Sequence, residues 1–586
     1  MYCSVLVLFL VPLFIWKKSG NLYRKITILA LILFFYISYD NELLNYIWHG
    51  FHVQNGLPNR MVFLCNFLLL VIGYEVLKER ESVSWYGFGF GLLSSFGFVL
   101  YLWKTNPKTD ITVFSTSFLL IVLYALLFAA EKWKKLDDMK FSRFLTLLFS
   151  MEVALMAMIG MLENGFTDVE GKFTENQSLK EAKAWLKEEM NEDLYRTELS
   201  INSYMDEAIY HNLNSISLFS STVKADMIST FKKLGFFTDV NRYYHHGATQ
   251  FTDSIFGVRY LIKNGSFMTG FISDDEGMYN IRQKEGYQVN VFPVVEVFGK
   301  VQIFENPKPL ALGFEVNSDL YSFTEDSGCV FDVQNQLAEK MTGEKAPLFE
   351  MISGESSAKA SNNIMITKQE EMVYSFEKTN FEEAYVTVQI PMEEDMDLYL
   401  YPDGLAIDTI MIWLDSELFV AEKEYPKHIY YIESVKKGQI LTVKYKIREE
   451  ETGAGYVAIN MARYNEDNFE THYEVLKQNQ LSVKQLAANV VECISEDEDG
   501  GLYFTSIPYD EGFEITVDGE KQDAKILANA FLGFELEPLK EGQKEHKIVI
   551  QFVPKGFKEG MIISICSIFL LLLILWLNRR SRNYKV

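Results

Sequence analysis

Hydrophobic and polar positions divide the chain into two kinds of segment. Seven stretches are nearly free of charge and close to the length that crosses a bilayer: 2–16, 26–39, 61–77, 83–103, 111–130, 144–162 and 561–577. A span needs ~20 mostly apolar residues, because ~1.5 Å of rise per residue must cover ~30 Å of hydrocarbon. The first two stretches are short. The first has no charged leader and is followed by Lys17 and Lys18, the reverse of a signal peptide. From Gly286 onward the period changes to two. Segment 384–390 reads AYVTVQI, 440–447 reads ILTVKYKI, 456–461 reads YVAINM, and 287–303 is rich in Val and Phe. Short alternating strands with turn signals between them predict an antiparallel sandwich. Residues 472–488 read as one helix leaving it. Residues 489–553 read as a second small sandwich, with Val517-Asp518-Gly519 as a hairpin turn. Between spans and strands, 163–285 is mixed and helix-rich. Its clearest helix, 178–190, opens on Ser178 with Glu181 three residues later, a capping-box pattern. Segments 223–234 and 211–219 stay ambiguous.

The pattern predicts a membrane α-helical bundle of about seven spans plus a large extracellular α+β region with antiparallel β-sandwiches. The expected parts are a six-span membrane domain (1–162), a helix-rich extracellular domain (163–285), a β-sandwich domain (286–470), a helix with a second small sandwich (471–557), and a C-terminal span with a basic cytoplasmic tail (558–586).

Charge sharpens this picture. Residues 1–162 hold 14 Lys/Arg and 10 Asp/Glu, 163–557 hold 36 and 68, and 558–586 hold 5 and 1. The net charge of −24 therefore belongs to one large acidic region held between basic, apolar ends. Such a surface repels nucleic acid, which excludes a polyanion-binding protein acting through net charge. Five Cys in 586 residues exclude a disulfide-rich secreted scaffold. The Lys/Arg of short loops orient the spans. The loops after the first, third and fifth spans, together with the tail, carry 15 of them, while the alternate loops carry only Arg60, Lys104 and Lys108. The first set is therefore cytoplasmic. This makes a multi-pass protein of the cell membrane with 163–557 outside and the C-terminus inside. Inside the spans, Gly87, Gly91 and Ser95 recur at i+4, which predicts a close helix approach. Glu152 sits near the middle of its span, where an acid either bonds to a neighbouring helix or lines a wet cavity.

The richest candidate site is 40–60, DNELLNYIWHGFHVQNGLPNR, in the outer loop between the second and third spans. It gathers Asp40, Glu42, Trp48, His49, His52, Asn55 and Arg60 at the membrane face. Carboxylate and imidazole suit acid–base work there. Arg60 suits a phosphate, as a planar fork of donors. The expected substrate-binding residues are Arg60, His49, His52, Trp48 and Asp40. The plainer reading is an amphipathic interfacial segment with Tyr46 and Trp48 in the aromatic belt. Elsewhere, His245 and His246 are adjacent, share no face, and read as a surface loop rather than a metal pair. The acidic runs 274–276 and 496–499 lack the spacing of a calcium loop and read as solvated turns. Cys329 and Cys493 are the cysteines of the outer region, and their spacing does not decide whether they are bridged. No phosphate-binding glycine loop, zinc motif or serine elbow is present.

WHGF at 48–51, with Leu57-Pro58-Asn59-Arg60 leading into a span, resembles the membrane-face motif of the YfhO family of bacterial membrane proteins. The likeness continues in order through Phe219-Ser220-Ser221, Leu234-Gly235, Gly257-Val258-Arg259-Tyr260-Leu261, Glu305-Asn306, Leu310, Gly313-Phe314, Gln334-Asn335 and Thr342-Gly343. It ends with Ile507-Pro508-Tyr509, Val517-Asp518-Gly519, His546, Gly556-Phe557 and Gly560. That family resembles the GT-C class of polytopic glycosyltransferases. The resemblance implies sugar transfer from a polyprenyl-phosphate donor to a cell-envelope polymer such as lipoteichoic acid. The implied partners are membrane lipid, the polyprenyl-phosphate sugar and the envelope glycopolymer, with no nucleic acid. No cofactor is implied beyond the lipid-linked donor. A lipid donor places its site at the outer membrane face.

One departure matters. Family members carry further N-terminal spans, and the GT-C catalytic acid sits in the first outer loop there. Here a basic turn joins the first two spans. The expectation is that this acid is missing, not replaced by Asp40. The chain is then a fragment, one part of an enzyme with a separate N-terminal half, or a non-catalytic relative. Two functions stay open: a membrane glycosyltransferase or its C-terminal part, and a non-catalytic membrane-anchored glycan-binding or scaffold protein. A transporter is disfavoured by the single midplane acid and the lack of a broken helix pair.

Overall fold

The structure, a computed structural model, describes residues 3–17, 21–51, 59–105, 111–164, 177–189, 194–202, 205–264, 271–273, 277–280, 286–325, 328–423, 427–449 and 452–583. The chain forms two compact units, Met1–Thr174 and Glu175–Val586.

The first unit is helical: α1 (Val5–Trp16), α2 (Leu22–Asp40), α3 (Glu42–Trp48), α4 (Val62–Lys78), α5 (Trp85–Thr105), α6 (Ile111–Lys132) and α7 (Asp138–Asn164). Among the described residues, five helices are long and apolar enough to cross a membrane: Leu22–Tyr39, Trp85–Thr105, Ile111–Lys132, Asp138–Leu162 and, in the second unit, Phe557–Arg579. Of the other two expected spans, α1 has 12 residues and α4 has 17. At ~1.5 Å per residue α1 is ~18 Å long, well short of the hydrocarbon thickness.

α1 is the core of this unit. It packs on α4, α5 and α6, and Phe9, Leu10, Leu13 and Phe14 are buried. The expected small-residue stripe makes this possible. Gly87, Gly91 and Ser95 are buried, and a Cβ at Gly87 or Gly91 would collide with Trp16 or Leu13 of α1. Ser95 Oγ donates to the Leu8 carbonyl at 3.1 Å. A helix that begins inside an apolar bundle leaves N–H groups that lipid cannot satisfy. Glu152 meets that need. Its carboxylate accepts the Val5 N–H at 2.6 Å and the Tyr124 hydroxyl at 2.5 Å. The acid is therefore bonded to a neighbouring helix. Ion pairs gather the basic turns at one end of the helices: Lys17 with Glu79 (3.0 Å), Arg24 with Glu75, and Arg80 with Glu131 (2.6 Å) and Asp138 (2.9 Å). A cavity of about 530 Å³ lies there, lined in part by Leu13, Arg80, Phe128 and Lys132. The loop between α2 and α4 is at the other end of those helices.

The second unit begins with helix Gln177–Glu189, whose Leu179, Ala182 and Leu186 pack on a four-stranded sheet. That sheet orders Arg196–Leu199, Val258–Lys263, Val301–Glu305 and Val294–Phe298, with the first pair parallel. Its last two strands come from beyond 285, so the sheet crosses the expected boundary there. The main sandwich faces two sheets across an aliphatic core that includes Val386, Val388, Ile412, Ile432, Val443 and Ile459. One sheet orders Ile364–Glu370, Val373–Lys378, Gly453–Tyr464, Met396–Gly404 and Tyr430–Val435. The other orders Ser357–Ala360, Ala384–Pro391, Ile440–Ile447, Ile407–Leu414 and Glu417–Lys423. Helices Ala225–Lys233, Gln250–Ile255 and Val330–Thr342 share a second core with Tyr399, Tyr401 and Tyr431 from the sandwich. The small sandwich (core Cys493, Tyr503, Ile515, Phe534, Ile548) recruits strand Gly313–Val316 beside Gly501–Pro508. Its predicted hairpin is present, with Asp518 and Gly519 both at positive φ between paired Val517 and Glu520.

Two expectations fail. Residues 472–488 are not one helix. Helix Glu466–Leu476 ends, and Ser482–Ala487 is a strand paired with Val490–Ser495. The polar break Gln478-Asn479-Gln480 instead ties to strand 313–316, where Glu315 N–H bonds the Asn479 carbonyl at 2.9 Å. His245 and His246 do not form a surface loop: His245 is buried, and so is Nε2 of His246.

Candidate functional site

The membrane-face loop is built from α3. Asn41 ends α2 and caps α3, accepting the Leu44 N–H at 2.9 Å. Trp48 stacks on Phe35 of α2 with centroids 5.7 Å apart and planes at 21°. His49 follows. Its Nδ1 lies 2.7 Å from the Asn45 carbonyl, and its Nε2 is buried with no bonding partner among the described residues. Asn45 Oδ1 and Asn59 Oδ1 are likewise buried without partners. Gly50 and Phe51 take positive φ and turn the chain away. His52 and Asn55 lie outside the described residues, as does the Asp40 side chain. Arg60 is exposed just before α4, and among the described residues no hydrogen bond or ion pair engages it. The structure thus joins Trp48, His49 and Asn45 within one turn. No described contact links them to Arg60. Leu43, Ile47 and Phe51 are exposed, which also suits an interfacial segment.

The second unit holds a polar cluster that the sequence reading missed. His245 and Asp253 are buried, with Nε2 donating to Oδ1 at 2.5 Å. Asp253 Oδ2 accepts the Tyr287 hydroxyl (2.7 Å) and Gln288 Nε2 (2.8 Å). Behind it, the His245 N–H donates to Ser217 Oγ (3.0 Å), whose hydroxyl donates to Glu198 at 3.1 Å. Burial by itself lowers the pKa of His245, but contact with Asp253 and the nearby Glu198 outweigh it and hold the imidazole above its ordinary value. Burial pushes the Glu198 carboxyl up. His246 is pushed down to about 3 by burial and by His428 and His245. The surface reading fails because helix Gln250–Ile255, with all six residues buried, delivers a carboxylate to His245. A polar His inside the long, weakly charged run 243–262 was the available signal. The carboxylates of the cluster are taken up by its own members, so its chemistry is that of a joint.

The family-like residues of the second unit are also joints. Gln334 accepts the Thr249 hydroxyl (2.7 Å) and donates to the Leu234 carbonyl (2.6 Å). Asn335 clips both backbone groups of Phe349, at 2.8 and 2.9 Å. Asn306 Nδ2 donates to the Val258 carbonyl (2.9 Å), and Arg259 pairs with Glu305 (3.1 Å). Thr342 meets His472 (2.8 Å), and Gly343 at φ 80° caps its helix. His546 holds Asp518 of the hairpin at 2.7 Å. Run 496–499 is a turn in which Asp497 accepts the Tyr503 hydroxyl at 3.0 Å; 274–276 lie outside the described residues. Cys329 and Cys493 are free. Among the described residues, no three His, Cys, Asp or Glu side chains are arranged to hold a metal.

Apolar spanning helices joined to a sheet-rich acidic unit define a membrane-anchored protein with a large folded appendage. The family model for bacterial membrane protein YfhO matches residues 1–564, and the chain belongs to that family. A search of curated proteins gave no match. Three solved structures illustrate the similarity to known folds. TmCBM61 in complex with β-1,4-galactotriose is 14% identical, over 19% of this chain and 91% of that one, with a TM-score of 0.14. A family 29 carbohydrate binding module is 8% identical, over 21% and 92%, with a TM-score of 0.15. A family 35 module from Clostridium thermocellum is 10% identical, over 20% and 98%, with a TM-score of 0.15. Scores this low carry no argument about this chain.

Proposed function

We propose that the chain is a YfhO-type membrane glycosyltransferase, or the C-terminal part of one. It moves a sugar from a polyprenyl phosphate to a cell-envelope polymer such as lipoteichoic acid. The observation that carries this reading is the contrast in bonding. Family-like residues of the outer unit are saturated by the fold, whereas the membrane-face motif keeps buried acceptors without partners and an exposed Arg60. In this reading α4 joins the five long helices as a sixth span and α1 enters the bundle from the basic end without crossing it, with 163–557 outside and the C-terminus cytoplasmic. The clustering of the basic turns at the end of the helices away from α3 supports that orientation. Arg60 takes the donor phosphate, Trp48 gives the sugar ring an apolar face, and His49, His52 and Asp40 complete the loop.

Arg60→Lys tests it. Lysine keeps the charge and its reach to the headgroups but loses the planar fork. At unchanged protein level, polymer glycosylation should fall about 10- to 100-fold, the worth of ~1.5–3 kcal/mol for a charged hydrogen bond. If Arg60→Lys and Arg60→Ala both act like the parent, the donor site is elsewhere. A parent that binds envelope glycan but transfers no sugar would put the non-catalytic scaffold in its place.

A further inference from the structure

We propose that His49 is the general base of the transfer and that Asn45 holds a second hydroxyl of the same acceptor; this rests on the glycosyltransferase reading above. The Asn45 carbonyl can only accept. It takes the His49 backbone N–H at 3.1 Å and faces Nδ1 at 2.7 Å, so Nδ1 carries a proton. The neutral ring therefore presents Nε2 as a bare lone pair. That atom is buried and has no partner. Asn45 Oδ1, one helical turn away on the same face, is a second buried acceptor with no partner. Two neighbouring acceptors call for two neighbouring donors. A pair of hydroxyls on a sugar or polyol supplies them, and a bare phosphate does not, because at neutral pH its oxygens mainly accept. Water-poor burial of an acceptor is costly unless it is filled. A base needs an orienting bond on its far nitrogen and a free near nitrogen, which this ring has. The adjacent Trp48 is pinned on Phe35, so the backbone that carries His49 is anchored.

The step balances. The acceptor hydroxyl gives its proton to Nε2 as its oxygen bonds the anomeric carbon of the donor. The bond from that carbon to the phosphate oxygen breaks, and its electron pair leaves on the polyprenyl phosphate. The imidazolium then returns its proton to water.

The test uses the full chain in membranes, with a polyprenyl-phosphate sugar and a glycerol-phosphate polymer as probes. His49→Gln keeps an N–H for the Asn45 carbonyl but has no basic nitrogen. It should lose about 10²–10⁴-fold in kcat with little change in KM. Asn45→Ala should act mainly on acceptor KM. A folded His49→Gln with parental kcat overturns the base and leaves the glycosyltransferase reading intact. A parent with no transfer overturns both.

Discussion

Two pairs of side-chain amides, one pair in each unit, do opposite things. In the outer unit Gln334 and Asn335 use both ends of the amide, bridging Leu234, Thr249 and Phe349. In the loop between α2 and α4, Asn45 and Asn59 each keep an oxygen, and the neighbouring imidazole of His49 its Nε2, without a partner among the described residues. Two histidines differ in the same way: His245 is locked to Asp253 inside a closed cluster, while His49 is bonded on one nitrogen only. Evolution can retain a residue for either reason, so its presence in a family motif does not say which.

The sharpest way to break this comparison is to remove an outer joint. Asp253→Ala strips His245, Tyr287 and Gln288 of their common acceptor and should cost about 3–5 kcal/mol, as loss of one partner from a buried charged pair does. Thermal melting of the purified full chain would read it as a large drop. Gln334→Ala removes the side-chain donor to the Leu234 carbonyl and leaves the Thr249 hydroxyl with Thr252 alone. It should cost about 1–3 kcal/mol, the worth of one unmet group. In contrast Arg60→Ala should move the melt by no more than about 0.5 kcal/mol. A large destabilisation at Arg60 would make the loop another joint and erase the distinction.

Acidity gives a finer test, and the two outer histidines pull in opposite directions. His246 titrates at about 3 in the folded chain. The unfolded chain therefore binds the proton more readily below the ordinary value of ~6.5, so His246 removes stability as pH falls through that window. His245 is raised, so its contribution is fully present below ~6.5 and is lost as pH climbs through its folded value. His246→Gln should flatten the acid side of the stability curve and leave the alkaline side unchanged. An unchanged acid slope would contradict the burial of that ring. The smallest effect is expected at the acidic turn: Glu498→Gln should shift stability by less than about 0.5 kcal/mol, with or without added calcium.

Local chemistry was legible where one segment decides the outcome. The Gly87-Gly91-Ser95 stripe needs only helical periodicity, and a helix does lie in it. The alternation at 384–390 and 440–447 suffices for strands, which pair with each other in register. What stayed hidden depends on partners distant in sequence. Glu152 at the midplane does not reveal that α1 begins beside it. Residues 482–487 have an ambiguous period, and pairing with 490–495 makes them a strand. The buried role of His245 needed Asp253, Tyr287 and Ser217 from three other segments. At the candidate site Trp48, His49 and Arg60 were readable by residue type. That Nε2 of His49 stays free was not, because it follows from a bond to the backbone of α3.

The central claim is that the membrane-face loop, and not the sheet-rich unit, meets the lipid phosphate. A photoreactive side chain placed at Trp48 or Phe51 of the full chain, and in parallel at the exposed outer residues Tyr321 and Phe381, reads this directly. With polyprenyl phosphate present, the account predicts lipid captured at 48 and 51, reduced by Arg60→Ala, and none at 321 or 381. Capture at the outer positions with none at 48 or 51 would contradict it.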